Sequence, residues 1–271
     1  YPKEDTVKVR MLIALNDALV KVKPKSNEGI AYCDQALAIV EKLGVSELKA
    51  DVLYSKADNL DTQNKLADAL STVEQALAIY EQLSKAKKII SCLHLLGVIY
   101  YKMSDTENSK KHLERSLMMS EQLNDEKNKM KSLNSLAIIY GMQDAKKAIA
   151  YYEQAMQVAQ KLNDKMGEAR IAGNMGRIHN ESGDYVKALG YLQSALRIHE
   201  NMGDLRGMTF DYQSLSATYG ELDDVDKALD YANKALALAI KTGNKQVECG
   251  CYSKIGDCYY RKKKYEEALT N

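Results

Sequence analysis

The sequence predicts an all-α fold in which antiparallel helix pairs stack into an α-solenoid. The first observation is a small residue inside an apolar motif. It recurs at intervals of 40 residues, with one interval of 39, at Ala57, Gly97, Ala137, Gly176, Ser216 and Gly256. The second observation is that the apolar residues around it keep helical spacing. The third is that the 271 residues contain only 2 prolines, so helix breakers are nearly absent.

The first helix of each repeat is predicted from the motif that surrounds the small residue. The motif reads LGVIY at 96–100, LAIIY at 136–140 and MGRIH at 175–179. Leu, Ile and Tyr stand at i, i+3 and i+4 in these stretches, which is the pattern of an amphipathic helix. A side chain larger than Ala at the small position would push crossing helices apart. We therefore expect close helix contacts at these positions.

The second helix of each repeat is predicted from a pattern such as KALGYLQSAL at 187–196. Its small residues form two further ladders, at Ala69, Ser109, Ala148, Ala188, Ala228 and Ala268, and again seven residues later at Ala76, Ser116, Ala155, Ala195 and Ala235. A single helix pair cannot bury its apolar face alone, so the pairs must stack on one another.

Polar turns separate the helices, and eight of them end in a residue that can cap the next helix. A side-chain oxygen at this position accepts hydrogen bonds from free N–H groups of the first turn. The predicted caps are Asp105, Asp144, Asp184 and Asp224 before second helices, and Asp125, Asp164, Asp204 and Asn244 before first helices. We attribute the interval of 39 to one residue missing from the turn GMQDAKKA at 141–148.

The register predicts one array over residues 1–271. It begins with a degenerate helix pair at 5–44, continues with full repeats and ends in a truncated repeat at 244–271. The full repeats are 45–84, 85–124, 125–163, 164–203 and 204–243. The chain lacks an initiator Met and ends inside a predicted second helix, so we expect it to be a segment of a longer protein.

Charge and hydropathy exclude two classes of partner for this segment. Lys and Arg total 38 against 37 Asp and Glu, a net charge of +1, which lacks the basic excess of nucleic-acid-binding proteins. No apolar run approaches the roughly 18 residues that a transmembrane helix needs. We therefore predict neither nucleic-acid binding nor membrane insertion.

The sequence contains no pattern typical of a catalytic, metal or cofactor site. Cys249, Cys251 and Cys258 match no standard zinc spacing, and we interpret them as small buried residues. His179 replaces a tyrosine of the first-helix motif and is interpreted as a packing residue. There is no Gly-rich phosphate loop and no paired metal-binding histidines. We predict a protein that is not an enzyme and holds no metal and no cofactor.

These repeats resemble the tetratricopeptide repeat (TPR). The resemblance rests on the small residue of the first helix, the Tyr three residues later and the two small residues of the second helix. Two features depart from that family: the usual Trp and terminal Pro are absent, and the repeat has 40 residues rather than about 34. Long repeats of this kind are similar to arrays that precede kinase, cyclase or DNA-binding domains in bacterial signalling proteins. They also resemble eukaryotic cortical adaptors and peptide-sensing regulators of Gram-positive quorum systems.

The resemblance implies that the first helices line a concave groove that binds ligands. The residues expected on this surface are Tyr54, His94, Tyr101, Asn134, Arg170, Asn174, Arg177, Gln213, Asp257 and Tyr260. The same positions also hold Asp58, Asp61, Lys102, Met142, Phe210 and Arg261. Asn134 and Asn174 are suited to bind an extended peptide backbone, and Arg170 and Arg177 to bind a carboxylate.

Two functions follow from this resemblance. The first is a sensory or interaction module of a bacterial signalling protein, in which a peptide or protein segment in the groove changes the activity of an output domain. The alternative is a constitutive scaffold that joins protein partners without switching. A homodimer is left open, and the compartment is the periplasm for a sensor ectodomain and the cytoplasm otherwise.

Overall fold

The computed structural model describes residues 2–23, 26–141 and 143–270. These residues form helices joined by short turns, without a β-strand, which confirms the predicted all-α fold. None of the described helices is long and apolar enough to cross a membrane. The helices of the described residues are α1 (Pro2–Val22), α2 (Glu28–Leu43), α3 (Ser46–Thr62), α4 (Leu66–Gln82), α5 (Ala86–Lys102), α6 (Thr106–Gln122), α7 (Glu126–Gly141), α8 (Ala145–Lys161), α9 (Lys165–Glu181), α10 (Tyr185–Met202), α11 (Leu205–Glu221), α12 (Val225–Thr242), α13 (Lys245–Arg261) and α14 (Tyr265–Leu269).

Consecutive helices pack together from α1 to α6 and from α8 to α14. The chain forms two compact units, Tyr1–Ile139 and Tyr140–Asn271. The first unit holds α1 to α6 and nearly all of α7, and the second holds α8 to α14. Odd-numbered helices are the first helices of their pairs, and even-numbered helices are the second helices. Neighbouring first helices also touch within each unit, α1 with α3 and α3 with α5 in the first, and α9 with α11 in the second.

Glycines of the first helices lie where these helices cross their partners, as predicted. A Cβ added to Gly97 would lie 2.5 Å from Cγ of Leu113 and 3.2 Å from the carbonyl oxygen of Ser109. A Cβ added to Gly176 would lie 2.5 Å from Cγ of Leu192. The absent Cβ therefore admits a leucine of the second helix at each crossing.

We expect Gly176→Ala to destabilise the second unit by about 1–3 kcal/mol, because the added methyl overpacks the crossing with Leu192. The first unit shows how a larger residue is accommodated: there Ala57 is buried at the glycine position and the smaller Val73 at the leucine position. Leu192→Val should therefore recover most of the loss in a double variant. Urea denaturation of both single variants and the double variant measures this coupling, and simply additive losses would contradict it.

Each predicted cap accepts a hydrogen bond from a backbone N–H of the next helix. Asp184 Oδ1 accepts from the N–H of Lys187 at 3.2 Å, and Asp164 Oδ1 accepts from the N–H of Gly167 at 2.9 Å. Equivalent bonds are made by Asp105, Asp125, Asp144, Asp204, Asp224 and Asn244. The structure thus confirms all eight predicted caps, each of which satisfies a donor that the helix itself leaves free.

The turn between α7 and α8 explains the interval of 39 residues. In the regular turn before α10, Gly183 has a φ of 77° and the N–H of Asp184 donates to the carbonyl of His179, five residues back. Before α8, the N–H of Asp144 donates to the carbonyl of Tyr140, four residues back, at 2.7 Å. One residue is therefore missing between helix end and cap, as the sequence predicted.

Aromatic rings of the two helices in a pair stack on each other. Tyr100 stacks on His112 with ring centroids 5.3 Å apart, and His179 stacks on Tyr191 at 5.5 Å. His179 is only 7% exposed, and burial lowers its pKa below the ordinary value. The interpretation of His179 as a packing residue is confirmed, because the neutral ring fills the position of a tyrosine.

The prediction that Cys249, Cys251 and Cys258 are all buried is wrong for Cys249. Cys251 and Cys258 are buried, but Cys249 is exposed. Cys251 and Cys258 stand seven residues apart and share one face of α13, whereas Cys249 lies roughly 200° around the helix from Cys251. Among the described residues, no group of three or more His, Cys, Asp or Glu side chains is placed to hold a metal ion.

Candidate functional site

The first helices of each unit present a row of partly exposed side chains, which we call the first-helix face. Second helices repeat small residues at two fixed positions, such as Ala188 and Ala195. The partly exposed positions of the first helices carry residues that differ from one helix to the next. The residues predicted to bind ligand all belong to this face, and Met142 lies outside the described residues.

In the first unit, the predicted residues are held by their neighbours to different degrees. Tyr54 is half-buried against the hydrophobic core, and burial together with the Asp58 charge raises the pKa of its hydroxyl. His94 places Nε2 3.0 Å from Oγ of Ser135 and so connects α5 with α7. Tyr101 is exposed and Asn134 is half-buried. Tyr101 is the most accessible of these side chains.

Carboxylates lie close together in the first unit, near Tyr54. Asp61 is only 7% exposed, and its Oδ2 accepts a hydrogen bond from Lys102 Nζ at 2.7 Å. Asp58 is half-buried, and its pKa is raised by burial and then by the charges of Asp61 and Asp17, against the opposing effect of Lys131 and Lys102. Two like charges therefore act on Asp58 from this part of the face.

In the second unit, helix α9 carries Arg170, Asn174 and Arg177 on one stripe. Their spacing of four and three residues places them on the same side of the helix. Arg170 is exposed and Asn174 is half-buried. Arg177 donates from Nη1 to Oε1 of Glu181 at 2.6 Å, one turn further along the helix. The two predicted arginines therefore lie on one stripe, and Arg177 is ion-paired with Glu181.

Phe210 on α11 lies beside this stripe and is 36% exposed. Its ring rests against Gly173, since a Cβ added there would lie 3.2 Å from the ring. Gln213 follows on the same helix, half-buried, with Nε2 3.9 Å from Sγ of Cys251. The register of the repeat placed Phe210 on this face. The sequence also distinguishes it as the single Phe beside 18 Tyr.

Helix α13 contributes Asp257 and Tyr260, which serve mainly as connections. Asp257 lies 3.3 Å from Nε of Arg261, and Arg261 Nη1 donates to the carbonyl of Gly220 on α11 at 2.9 Å. Tyr260 is 65% exposed and packs edge-on against Tyr265, with ring centroids 5.6 Å apart. The structure therefore groups Arg170, Asn174 and Arg177 on α9 with Phe210 on α11, whereas Gln213 contacts Cys251 of α13.

Two cations on the face, Lys102 and Arg261, make equivalent contacts with the preceding first helix. Lys102 on α5 reaches both Oδ2 and the carbonyl oxygen of Asp61 on α3. Arg261 on α13 makes the equivalent bond to the carbonyl of Gly220 on α11. Both cations close the carbonyl end of the preceding first helix, where the helix dipole favours positive charge. They stabilise the face rather than leave a free charge for a ligand.

Antiparallel helix pairs with small residues at their crossings define the chain as an α-helical repeat protein. The family model that matches the sequence is the tetratricopeptide repeat, over residues 25–82, 89–161 and 133–201. These segments cover more than half of the chain, which therefore belongs to the tetratricopeptide repeat family, as the sequence predicted. Among curated proteins no sequence matches.

Solved structures share the fold at low sequence identity. Aspartyl phosphate phosphatase F from Bacillus subtilis is 14% identical, with a TM-score of 0.73 over 99% of this chain and 69% of that one. A STAND ATPase with a tetratricopeptide repeat sensor from Pyrococcus horikoshii is 17% identical, with a TM-score of 0.72 over 95% of this chain and 40% of that one. NprR in complex with its cognate peptide NprX is 14% identical, with a TM-score of 0.69 over 92% and 72%. At these identities the likeness shows the fold alone.

Proposed function

We propose that this chain is a non-catalytic module that binds an extended peptide or protein segment on its first-helix face, as the sensory or interaction region of a larger signalling protein. The observation that carries the proposal is the group on α9 and α11. There the exposed ring of Phe210 rests against Gly173, the residue before Asn174 on the helix that also carries the exposed Arg170, and Gln213 follows on the helix of Phe210. Rings, amides and guanidiniums are the groups that dominate binding at peptide interfaces.

Each residue type has a role in this proposal. Arg170 and Arg177 bind a carboxylate of the ligand, and Arg177 exchanges Glu181 for the ligand oxygen. Asn174 and Gln213 each donate to and accept from the ligand backbone. Phe210 covers an apolar ligand side chain. Support also comes from NprR, a structural neighbour that was crystallised with its cognate peptide.

The test is a selection of displayed random peptides on the wild-type chain, followed by calorimetric titration of the selected peptides. Replacing both arginines, Arg170→Glu with Arg177→Glu, should weaken binding by about tenfold to a hundredfold, because two charge-assisted contacts become repulsive. Arg197→Glu is the matched control, since Arg197 is an exposed cation on the second helix α10. Equal loss in this control, or no loss in the double variant, would contradict the proposal.

A second measurement distinguishes a sensor from a constitutive scaffold. A sensor must bind its ligand more tightly in one conformation than in another. Small-angle scattering of the chain with and without a saturating selected peptide should therefore show a change in the radius of gyration. Identical scattering curves at saturation would favour the scaffold.

A further inference from the structure

In the first unit, helices α1 and α3 bring three carboxylates and one aromatic ring together. We call Asp17, Tyr54, Asp58 and Asp61 the acidic patch. Tyr54, Asp58 and Asp61 stand at i, i+4 and i+7 on α3 and therefore share one stripe. Asp17 on α1 accepts a hydrogen bond from Oγ of Ser55 at 2.6 Å, which holds its carboxylate against α3. The patch belongs to the first-helix face of this unit.

The protein supplies the acidic patch with fewer donors than the carboxylates can accept. The ion pair at 2.7 Å between Lys102 and Asp61 uses Oδ2 of the aspartate. Asp61 is more than nine-tenths buried, and its other oxygen, Oδ1, is buried without a hydrogen bond. The charges of Lys102 and Lys131 act on Asp58, but Lys102 is already bonded to Asp61.

A buried carboxylate oxygen without a donor is unfavourable, and neighbouring like charges add to that cost. The raised pKa of Asp58 has these causes, because burial acts first and the charges of Asp61 and Asp17 follow. A cation placed against Asp58 would offset the repulsion from these two charges. The half-buried ring of Tyr54, one turn before Asp58, adds a π-face that attracts cations.

We propose that the acidic patch is the subsite that receives an arginine side chain of the bound peptide, an inference that rests on the proposed function above. A guanidinium fits this subsite better than an ammonium group. Its planar array of donors can bond Asp58 and Asp17 together while its face stacks on Tyr54. Asp61 and Lys102 lie behind this contact and set the charge of the subsite.

The experiment uses pools of random hexapeptides, acetylated at the N-terminus and amidated at the C-terminus, with one fixed central residue. The fixed residue is arginine in one pool, citrulline in the second and lysine in the third. Citrulline has nearly the shape of arginine but no charge. The wild-type chain should bind the arginine pool about tenfold more tightly than the citrulline pool. Asp58→Asn should reduce that preference to about twofold or less.

The control variant is Glu114→Gln, which removes one exposed carboxylate from the second helix α6 of the same unit. It should keep the full preference for arginine, and a matching urea midpoint for Asp58→Asn should show that this variant is folded. Binding of all pools without a preference for arginine would overturn this inference and leave the proposed function intact. A preference for lysine over arginine would also overturn it. Absence of binding to every pool would overturn both.

Discussion

Replacing His199 with Ala should lower the free energy of unfolding of the second unit by about 3–5 kcal/mol at neutral pH. His199 on α10 is 4% exposed, and its Nδ1–H donates to Oδ2 of Asp211 on α11 at 2.6 Å. Asp211 is fully buried, and its Oδ1 has no hydrogen-bond partner. Without the imidazole, a buried carboxylate would lose its donor and face a cavity. Urea denaturation measures the loss, and hydrogen exchange of amides in α10 and α11 locates it.

The loss in His199→Ala should be smaller at pH 5 than at pH 7. Burial raises the pKa of Asp211, while the hydrogen bond and charge of His199 lower it. Removing His199 therefore raises this pKa further. A carboxyl whose folded pKa lies above its unfolded value contributes stability at low pH and loses that contribution as the pH rises through the folded pKa. Acidification thus removes the buried charge and leaves mainly the cavity.

A control for this prediction is the double variant His199→Leu with Asp211→Leu. Exchanging both members of a buried pair for apolar residues is often neutral or stabilising, whereas removing one member is costly. The double variant should therefore be more stable than His199→Ala, with little dependence on pH between 5 and 7. Equal stability of the two variants at both pH values would show that lost volume, and not an unpaired charge, causes the effect.

Features that recur along the chain could be predicted from the sequence. Close contacts at the position of Gly176 have six copies and caps such as Asp184 have eight, so the copies reveal the role of each. The His199–Asp211 pair could not be found in this way. The positions equivalent to His199 hold Tyr80, Ser120, Ala159 and Ala239, all buried. Aromatic, hydroxyl and methyl side chains can all fill this position between helix pairs. The periodicity of the sequence therefore does not show which side chains form hydrogen bonds there.

The candidate site also has features that could be predicted from the sequence and features that could not. The register placed Arg170, Asn174 and Arg177 on one stripe, because the first helices have a regular period. It did not reveal that Lys102 and Arg261 are bound to the preceding first helix, since that contact depends on side-chain reach. It also did not assign Asp17, because α1 belongs to a degenerate pair without the small-residue motif. Ligand binding therefore has to be argued from contacts as well as from register.

The degenerate first pair is joined to the array by a polar network with Asn16 at its centre. Asn16 is fully buried, and its Nδ2 donates to Oγ of Ser55 at 2.7 Å and to the carbonyl of Ser55 at 3.0 Å. Its Oδ1 accepts from Nδ2 of Asn59. Gly29 on α2 gives this network its space, since a Cβ there would lie 2.5 Å from Oδ1 of Asn16. The network adds to an apolar cluster that also joins the first pair to α3, formed by Val9, Leu12, Cys33, Ala36, Val40, Leu48 and Val52.

We therefore expect Asn16→Ala to destabilise the first unit by about 2–4 kcal/mol. The substitution removes the acceptor of the buried Asn59 Nδ2 and two hydrogen bonds to Ser55. An orphaned buried donor costs about 1–3 kcal/mol, and each lost hydrogen bond adds about 0.5–1.5 kcal/mol. Lys8→Ala, at an exposed position of the same helix, should change stability by no more than about 0.5 kcal/mol. Urea denaturation gives both values. Faster hydrogen exchange confined to α1 and α2 in Asn16→Ala would locate the effect, because this network fastens that pair to α3. Unchanged exchange there would contradict the assignment.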